Sequence, residues 1–473
     1  MKSIVPMLLA VGCWLSVAAA QWEPEVRLTY QGNPARIWAN NGWCLAATAG
    51  GTLQAVWWEG RDGNAEVYGK RSTDNGVTWL PDENLSNDPD TSWAPSLAVS
   101  GSTVHLVYKD KSDGWGAFYR RSTDGGATWS ADTALARFSS PIGGSMTCAA
   151  SDSLVHVLWA VFHGAHTQVS YLRSLDRGIT WLPEVLLTHD SARSEDPAVA
   201  VSGSAVHVVW FDTRNSEGDV YYERSLDHGA TWGQETRLTG DSAIVYAATV
   251  AVVDSLVHVA WIDRRGGGYQ FQIYYMRSTN WGATWEPEVR LTDNSGACMF
   301  PVLAASGLNV HIAWYDNRTG NYQVYYRNSN DGGLNWTPEL RLTQTSSSSS
   351  NPAIAISDDA VHIVFCDDRS GDTEIYYLRN PTGNVGVEEG LTPDAGRSTP
   401  DATIVRGVLV LSGDCPRTGT VPKTLVDISG RKVLDLRPGA NDVSGLASGV
   451  YFVRSAVSGE RSAVSVRKVV IQR

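Results

Sequence analysis

One octet governs what this chain can fold into. It recurs six times, as STDNGVTW (72–79), STDGGATW (122–129), SLDRGITW (174–181), SLDHGATW (225–232), STNWGATW (278–285) and SNDGGLNW (329–336). Successive starts lie 50, 52, 51, 53 and 51 residues apart. A fixed period of this length marks a repeat architecture, in which each unit is one supersecondary element that buries its faces against its neighbours.

Two further signals keep the same period. The runs LQAVWWEGR, VHLVYKDKS, VHVLWAVFH, VHVVWFDTR, VHVAWIDRR, VHIAWYDNR and VHIVFCDDR begin at 53, 104, 155, 206, 257, 310 and 361, which makes seven units against six octets. Their brevity and their β-branched and aromatic content predict strands, each followed by a polar turn and a Tyr-rich strand such as VYYER or IYYMR. The seventh unit keeps only NPTGN (380–384) where an octet would stand. A third signal follows the octets, as in WLPEVLLT (181–188), WEPEVRLT (285–292) and WTPELRLT (336–343), and it occurs once before any octet, at 22–29. That orphan supplies the strand the seventh unit lacks. Each unit then has four antiparallel strands, and borrowing the last one from the other end of the chain leaves no open edge. The fold class expected is all-β, a seven-bladed β-propeller over residues 21–380, with six blades as the alternative.

The rest of the composition fits an exported, soluble chain. A length of 473 residues suits a repetitive architecture better than one ordinary domain, and 42% hydrophobic with 19% charged residues excludes wholesale disorder. Fifty acidic against 38 basic residues give a net charge of -12, without the basic face that nucleic-acid binding needs. Residues 1–20 join one Lys to an apolar stretch ending in Ala18-Ala19-Ala20, a signal peptide pattern. A lipidated Cys13 is disfavoured because Ala10-Val11-Gly12 lacks the usual upstream Leu. No later apolar run approaches the roughly 20 residues of a membrane helix. The remaining Cys44, Cys148, Cys298, Cys366 and Cys415 are odd in number and scattered, so no disulfide framework is visible, and a meeting of Cys298 with Cys366 stays open. There is no Cys-x-x-Cys pair or Cys/His cluster, so no metal site and no cofactor are expected, while Ca²⁺ at Asp-rich turns is left undecided.

The octet Ser-x-Asp-x-Gly-x-Thr-Trp is the Asp-box or BNR repeat, and a chain of such boxes resembles the bacterial sialidase superfamily and other Asp-box propellers. Its chemistry is structural. Ser and Asp can bond the amides of a tight turn, Gly accepts positive φ, and Trp can fill a seam between blades. Six copies cannot all be one active site, so Asp74, Asp124, Asp176, Asp227 and Asp331 are assigned to structure, with Asn280 standing in the fifth box. The histidines of the second strands, His105, His156, His207, His258, His311 and His362, follow the same logic as core or inter-blade hydrogen-bonding residues. The resemblance implies that the boxes lie on the face away from the ligand.

At the opposite end five units carry an acid and, two residues on, an Arg: Glu59 and Arg61, Asp212 and Arg214, Asp263 and Arg265, Asp316 and Arg318, Asp367 and Arg369. Two readings compete: each pair pins its own hairpin, or the guanidinium groups ring a pocket, where Arg214, Arg265 and Arg318 could hold a carboxylate such as that of sialic acid. Units two and three break the pattern, with Asp110 and Ser112, and with Val161 and His163. Trp93, Trp115, Phe162 and His166 fall at the same end. Aromatic faces stack on sugar rings and His bonds hydroxyls, so Trp93, Trp115, His163 and His166 form a candidate glycan-binding patch.

Sialidase activity, by the resemblance, would need an arginine triad, a Tyr nucleophile activated by Glu, and an Asp acid/base. The family places its first triad Arg in a Phe/Tyr-Arg-Ile-Pro motif, and here Ala35-Arg36-Ile37-Trp38 keeps only Arg-Ile. No Tyr-Glu pair stands out from the recurring Tyr strands. The function expected is therefore a secreted or cell-surface propeller, a monomer, that binds extracellular glycan or protein without catalysis. An exo-α-sialidase is the alternative, and whether the chain is an enzyme stays open.

After residue 380 the period stops. Residues 381–403 read as a Gly/Pro/Thr-rich linker and 404–473 as a small β-sandwich. KTLVDISGRKVLDL (423–436), VSGLASGVYFVRSA (443–456) and SVRKVVIQR (465–473) resemble the type IX secretion C-terminal sorting domain. That resemblance implies passage through the periplasm, the type IX machinery as a partner, and release or attachment at a bacterial surface.

Overall fold

The computed structural model describes residues 22–383 apart from 31, 38–42, 49, 113, 139–144, 190–191, 216–217, 241–243, 266–269 and 359, and the backbone of seven strands after residue 401. The expected signal peptide and most of the expected linker lie outside the described residues. Contacts divide the chain into two units, Met1–Val387 and Glu388–Arg473.

The first unit is a ring of seven four-stranded antiparallel sheets, and no described residue is helical. Blade 2 runs Ser92–Ser100, Thr103–Asp110, Trp115–Ser122 and Thr133–Phe138, from inner to outer strand. Blade 3 runs Met146–Ser151, Leu154–His163, His166–Ser174 and Val185–Leu186, and blade 4 Ser194–Ser202, Ala205–Asp212, Asp219–Ser225 and Thr236–Arg237. Blades 1, 5 and 6 repeat this order over 45–84, 245–290 and 298–341. Blade 7 has Ser349–Ser357, Ala360–Asp367 and Glu374–Asn380, and its outer strand is Val26–Arg27, with Val26 opposite Tyr377. The orphan segment thus fills the place its sequence marks.

Because every blade is sandwiched between two others, its second strand is buried on both faces and reads as a continuous apolar run. Trp57, Trp159, Trp210, Trp261 and Trp314 are among the largest fully buried side chains. Each such indole removes roughly 200 Å² from water, worth at most about 5 kcal/mol at about 25 cal/mol/Å². Side chains alternate strictly across the seams. Trp210 and Tyr221 of blade 4 share a core with Leu158 and Val169 of blade 3, whereas Val209 and Val220 share one with blade 5.

The octets close the lower face. In the third copy Gly178 N donates to Ser174 Oγ (2.8 Å), Thr180 N to Asp176 Oδ1 (2.8 Å) and Thr180 Oγ1 to Asp176 Oδ2 (2.6 Å). These donors hold the Asp176 carboxyl down at about 2. Asp74, Asp124, Asp227 and Asp331 make the same turn, and Asn280 replaces the carboxylate with its amide oxygen.

Each box also receives its neighbour. His207 Nδ1 meets the Tyr222 hydroxyl at 2.7 Å, and Tyr222 runs into blade 5, against Gly282 and 4.9 Å from the Trp285 ring. Gly282 is needed twice, for its φ of 76° and because a Cβ there would occupy the Tyr222 hydroxyl. Blade 1 alters both partners at once: Gln54 stands for His and Gly69 for Tyr, and a Cβ on Gly69 would lie 2.6 Å from Gln54 Nε2. Blade 7 has no box Trp, and Trp22 takes that role, edge-on to Tyr326 of blade 6 at 5.1 Å.

In the second unit Ala402–Val405, Val408–Leu411 and Gly439–Asp442 form a three-stranded sheet. Lys423–Asp427, Lys432–Leu436, Gly449–Ala456 and Val464–Ile471 form a four-stranded one.

Candidate functional site

The inner strands of all seven blades line an axial cavity of about 340 Å³ walled mostly by Ala, Val, Leu and Ile, with Trp43 and Cys148. At the hairpin end its rim is irregular. In five blades the inner strand carries a bulge, and the residue inside it is left-handed without being Gly: Ala94, Asp196, Ala247, Phe300 and Asn351, at φ of 51°, 49°, 55°, 44° and 49°. Such bulges re-aim strand ends and cost about 1 kcal/mol or more each. Four of the five precede Pro (95, 197, 301 and 352), which disfavours the right-handed helical conformation there.

The hairpin arginines are committed within their own blades. Arg214 donates from Nε to Asp212 Oδ1 (2.9 Å) and from Nη2 to Asp212 Oδ2 (2.7 Å), stacks 4.2 Å over Tyr221, and reaches Glu235 just before the outer strand. Arg265 joins Asp263 to Glu288, and Arg318 joins Asp316 to Glu339, in the same way. Arg61 pairs with Glu59 and Asp82, and Arg369 with Asp367 and with Glu25 of the N-terminal segment. The flanking acids raise the pKa of Arg214, Arg265, Arg318 and Arg369 further, although burial opposes the shift. Each guanidinium therefore lies along its blade toward the outer strand, and Arg214, Arg265 and Arg318 do not converge on the axis.

Blades 2 and 3 depart from this plan. In blade 2 Asp110 accepts from Ser112 N (2.5 Å) and from the Ser92 hydroxyl. In blade 3 the ladder runs on past Val161 to pair His163 with His166 across a turn at Gly164. Ser170 stands where blade 4 has Tyr221, and Phe138 from the long outer strand of blade 2 comes within 6.1 Å of Trp159. Trp159 Nε1 and Ser170 Oγ are among the buried groups without a hydrogen-bond partner among the described residues, as are Trp57 Nε1 and Trp261 Nε1 in blades that keep the cassette. By contrast Trp210 Nε1 and Trp314 Nε1 donate to their hairpin aspartates at 3.1 Å.

Of the candidate glycan residues, Trp93 and Trp115 come together, and His163 pairs with His166. Trp93 lies within the inner strand and Trp115 opens the third strand, both outside the loops where the sequence suggested them, with rings edge-on at 5.3 Å. His163 and His166 are exposed on the hairpin of the next blade. Alternation turns both toward blade 2, because Val157 and Trp159 share a core with Val107 and Ala117. Sequence reasoning missed Lys109 and Lys111 on the blade 2 wall. Lys109 is 2% exposed, and burial lowers its pKa to about 8 while Asp196 of blade 4 opposes the shift. Lys109 was legible as the one charge in a column otherwise made of Trp58, Ala160, Phe211, Ile262, Tyr315 and Cys366.

A second hollow of about 340 Å³ lies between blades 7 and 1, lined by Arg36, Ile37, Trp58, Ser350, Asn351, Cys366, Asp368 and Thr373. Arg36 bridges the Trp58 backbone and holds its guanidinium 5.9 Å from that ring. Cys298 and Cys366 do not join: the first lies beside Asn294 and Asp316, and the second accepts from Ile37 N.

Residues 11–259 match the family of BNR repeat-like domains. No curated protein matches. Among solved structures, an ulvan lyase of polysaccharide lyase family 25 is 14% identical over 74% of this chain and 95% of its own, with a TM-score of 0.52. A protein of unknown function from Dyadobacter fermentans is 16% identical over 64% and 97%, at 0.47. A sialidase from Trypanosoma rangeli is 11% identical over 77% of this chain and 60% of its own, at 0.43.

Proposed function

The chain belongs to the family of BNR repeat-like domains, and on that premise we propose that it is an exported propeller that binds glycan at its hairpin face without cleaving it. The observation that carries this reading is the Trp93–Trp115 pair on the blade 2 wall, with His163 and His166 exposed on the hairpin of the next blade. Aromatic rings next to hydrogen-bonding side chains are what a sugar's apolar face and hydroxyls require. The ulvan lyase is a polysaccharide-degrading enzyme, which directs the search toward polysaccharides. The absence of cleavage is argued from the committed arginines. Releasing Arg214, Arg265 or Arg318 for a substrate carboxylate would strand the buried Asp212, Asp263 or Asp316.

Exo-α-sialidase activity is the second reading, and Arg36 in the hollow between blades 7 and 1 favours it. A glycan array read in parallel with a fluorogenic α-sialoside separates the two. Saccharide binding lost in Trp93→Ala/Trp115→Ala, with no fluorophore released, is expected. Release abolished by Arg36→Ala would replace binding with hydrolysis.

Within the same proposal, the two C-terminal sheets make a small sandwich that serves as a type IX sorting signal and delivers the propeller to the cell exterior. Deleting residues 404–473 in a host with that machinery should leave the chain in the periplasm. Unchanged appearance of the truncated chain outside the cell would remove the sorting role.

A further inference from the structure

We propose that Glu223 of blade 4 keeps its proton in the closed ring, so that the seam between blades 3 and 4 is tight in mildly acidic medium and loosens as the medium turns alkaline. This is independent of the glycan reading. The third strand of every blade sets one residue at this level, directly opposite a buried apolar residue of the second strand. Blades 1, 2 and 6 have Lys70, Arg120 and Arg327 there, and blades 3, 5 and 7 have Leu172, Met276 and Leu378. Blade 4 has Glu223, opposite Val208.

The basic members reach across to the preceding blade. Lys70 Nζ donates to Leu28 O at 2.7 Å, and the Arg120 and Arg327 guanidinium groups donate to Leu85 O and Leu291 O. Each of these leucines directly follows an outer strand. The apolar members join cores instead, Leu172 and Leu378 within them and Met276 against one. At the seam of blades 3 and 4 the corresponding residue is Leu187, whose amide bonds Val169 O as that of Leu85 bonds Val67 O. A position that elsewhere holds a donor or an apolar chain here holds a carboxyl. Glu223 is 5% exposed, and its Oε2 has no hydrogen-bond partner among the described residues. An ionised carboxyl would be neither solvated nor paired there, whereas a protonated one has an O–H to donate.

The charged groups around it are committed elsewhere or repel it. Burial, with the like charge of Glu235 added from the outer-strand side, pushes the Glu223 carboxyl up to about 7. Glu235 itself is paired with Arg214, and Arg237 of the outer strand with Asp219. Arg224, next along the strand, turns toward blade 5 and donates to Trp281 O. From blade 3, Arg173 donates to His228 O (2.6 Å), Tyr171 meets His156, and Glu184 and His189 are exposed. Asp227 is held within its own octet turn. The core shared by the two blades adds only apolar and aromatic side chains such as Leu158, Val169 and Val206.

The sign follows from the two states. An opened seam returns Glu223 to water and its ordinary value of 4.5, so the closed seam holds one proton more between there and about 7. Closure is fully favoured below that interval, weakens about tenfold per pH unit across it, and stays weakened above. The buried His156 and His207 act in the opposite sense, which is why the test compares variants at each pH.

The test is hydrogen exchange of the full chain with chelator present, read on peptides 183–189 and 220–225 from the two sides of the seam, with Glu223→Gln as reference. The ratio of wild-type to Glu223→Gln exchange rates should rise at least about 10-fold from pH 5 to pH 8, while the ratio for peptide 287–293 of blade 5 stays flat. Glu223→Met, which copies Met276, should match Glu223→Gln. A ratio that is flat at 183–189 and 220–225 overturns the proposal. So does a rise of equal size at 287–293, which would make the effect global. Protection restored to the wild type at pH 8 by millimolar calcium, and not to Glu223→Gln, would make the carboxylate a cation ligand and overturn the retained proton. Failure of both variants to fold at pH 5 would make the carboxyl a structural requirement and overturn the proposal as well.

Discussion

The two faces of the propeller are built from the same repeats and treat them oppositely. On the octet face the same relay recurs from seam to seam, a buried His, a Tyr hydroxyl, then the Gly and Trp of the next blade. Where blade 1 departs, Gln54 and Gly69 change together and the seam stays filled. On the hairpin face five blades share the acid–arginine–acid cassette, and blade 3 loses it, with Val161 and Phe138 packed at the seam instead. The first pattern is what stability demands of a ring. The second is what a binding surface permits, since departures from repetition there are tolerated one seam at a time.

Acid should separate the faces most strongly. Burial lowers the pKa of His105 and His258 to about 4 and of His156, His207 and His362 to about 3, against an unfolded value near 6.5. The unfolded chain then binds more protons, so this stability is complete above pH 6.5 and is lost as pH falls from there toward 3 to 4. Each histidine contributes about 1 kcal/mol per pH unit inside that window. Urea midpoints should fall steeply between pH 7 and pH 5, and His207→Gln should flatten the slope by about one proton.

Next in size is the contrast between two left-handed glycines. Gly178→Ala on the octet face meets Tyr119 and should cost about 3 kcal/mol or more, whereas Gly164→Ala, with nothing within 4 Å, should cost about 1 kcal/mol. Equal costs in urea unfolding would break the comparison. Within the hairpin face, Arg265→Met strands buried Asp263 and should cost about 3 kcal/mol. Glu25→Gln removes only the outer partner of Arg369, partly exposed, and should cost about 1 kcal/mol or less. His163→Ala should change stability by less than about 0.5 kcal/mol while weakening saccharide binding. A large loss of stability there would make blade 3 structural after all.

Period, blade number and the borrowed outer strand were all legible in the sequence, because each depends on residues that must recur. The octet Gly, the paired His and Tyr, and the orphan WEPEVRLT at 22–29 all announce packing that repeats. The candidate site was legible only as an absence, Val161 and His163 where Asp and Arg stand elsewhere. That Trp93 meets Trp115 depends on a bulge at Ala94, and that Lys109 is buried depends on the neighbouring blade. Neither follows from a single unit. The commitment of each Arg to a distant Glu was hidden for the same reason, since Arg214 and Glu235 lie 21 residues apart.

The outer strand of blade 7 has a consequence for how such a chain closes. Glu25 and Arg369 are separated by 344 positions, so the last seam forms only after almost the whole first unit has been made. Contacts of such span are slow to form, because the entropy of bringing the chain ends together is lost before any contact rewards it. Until residues 22 to 29 pair with 374 to 380, blade 7 lacks its outer strand and the ring is open. Once they do, it becomes a cyclic body that no pull on one terminus can unwind without first peeling Val26–Arg27 from blade 7.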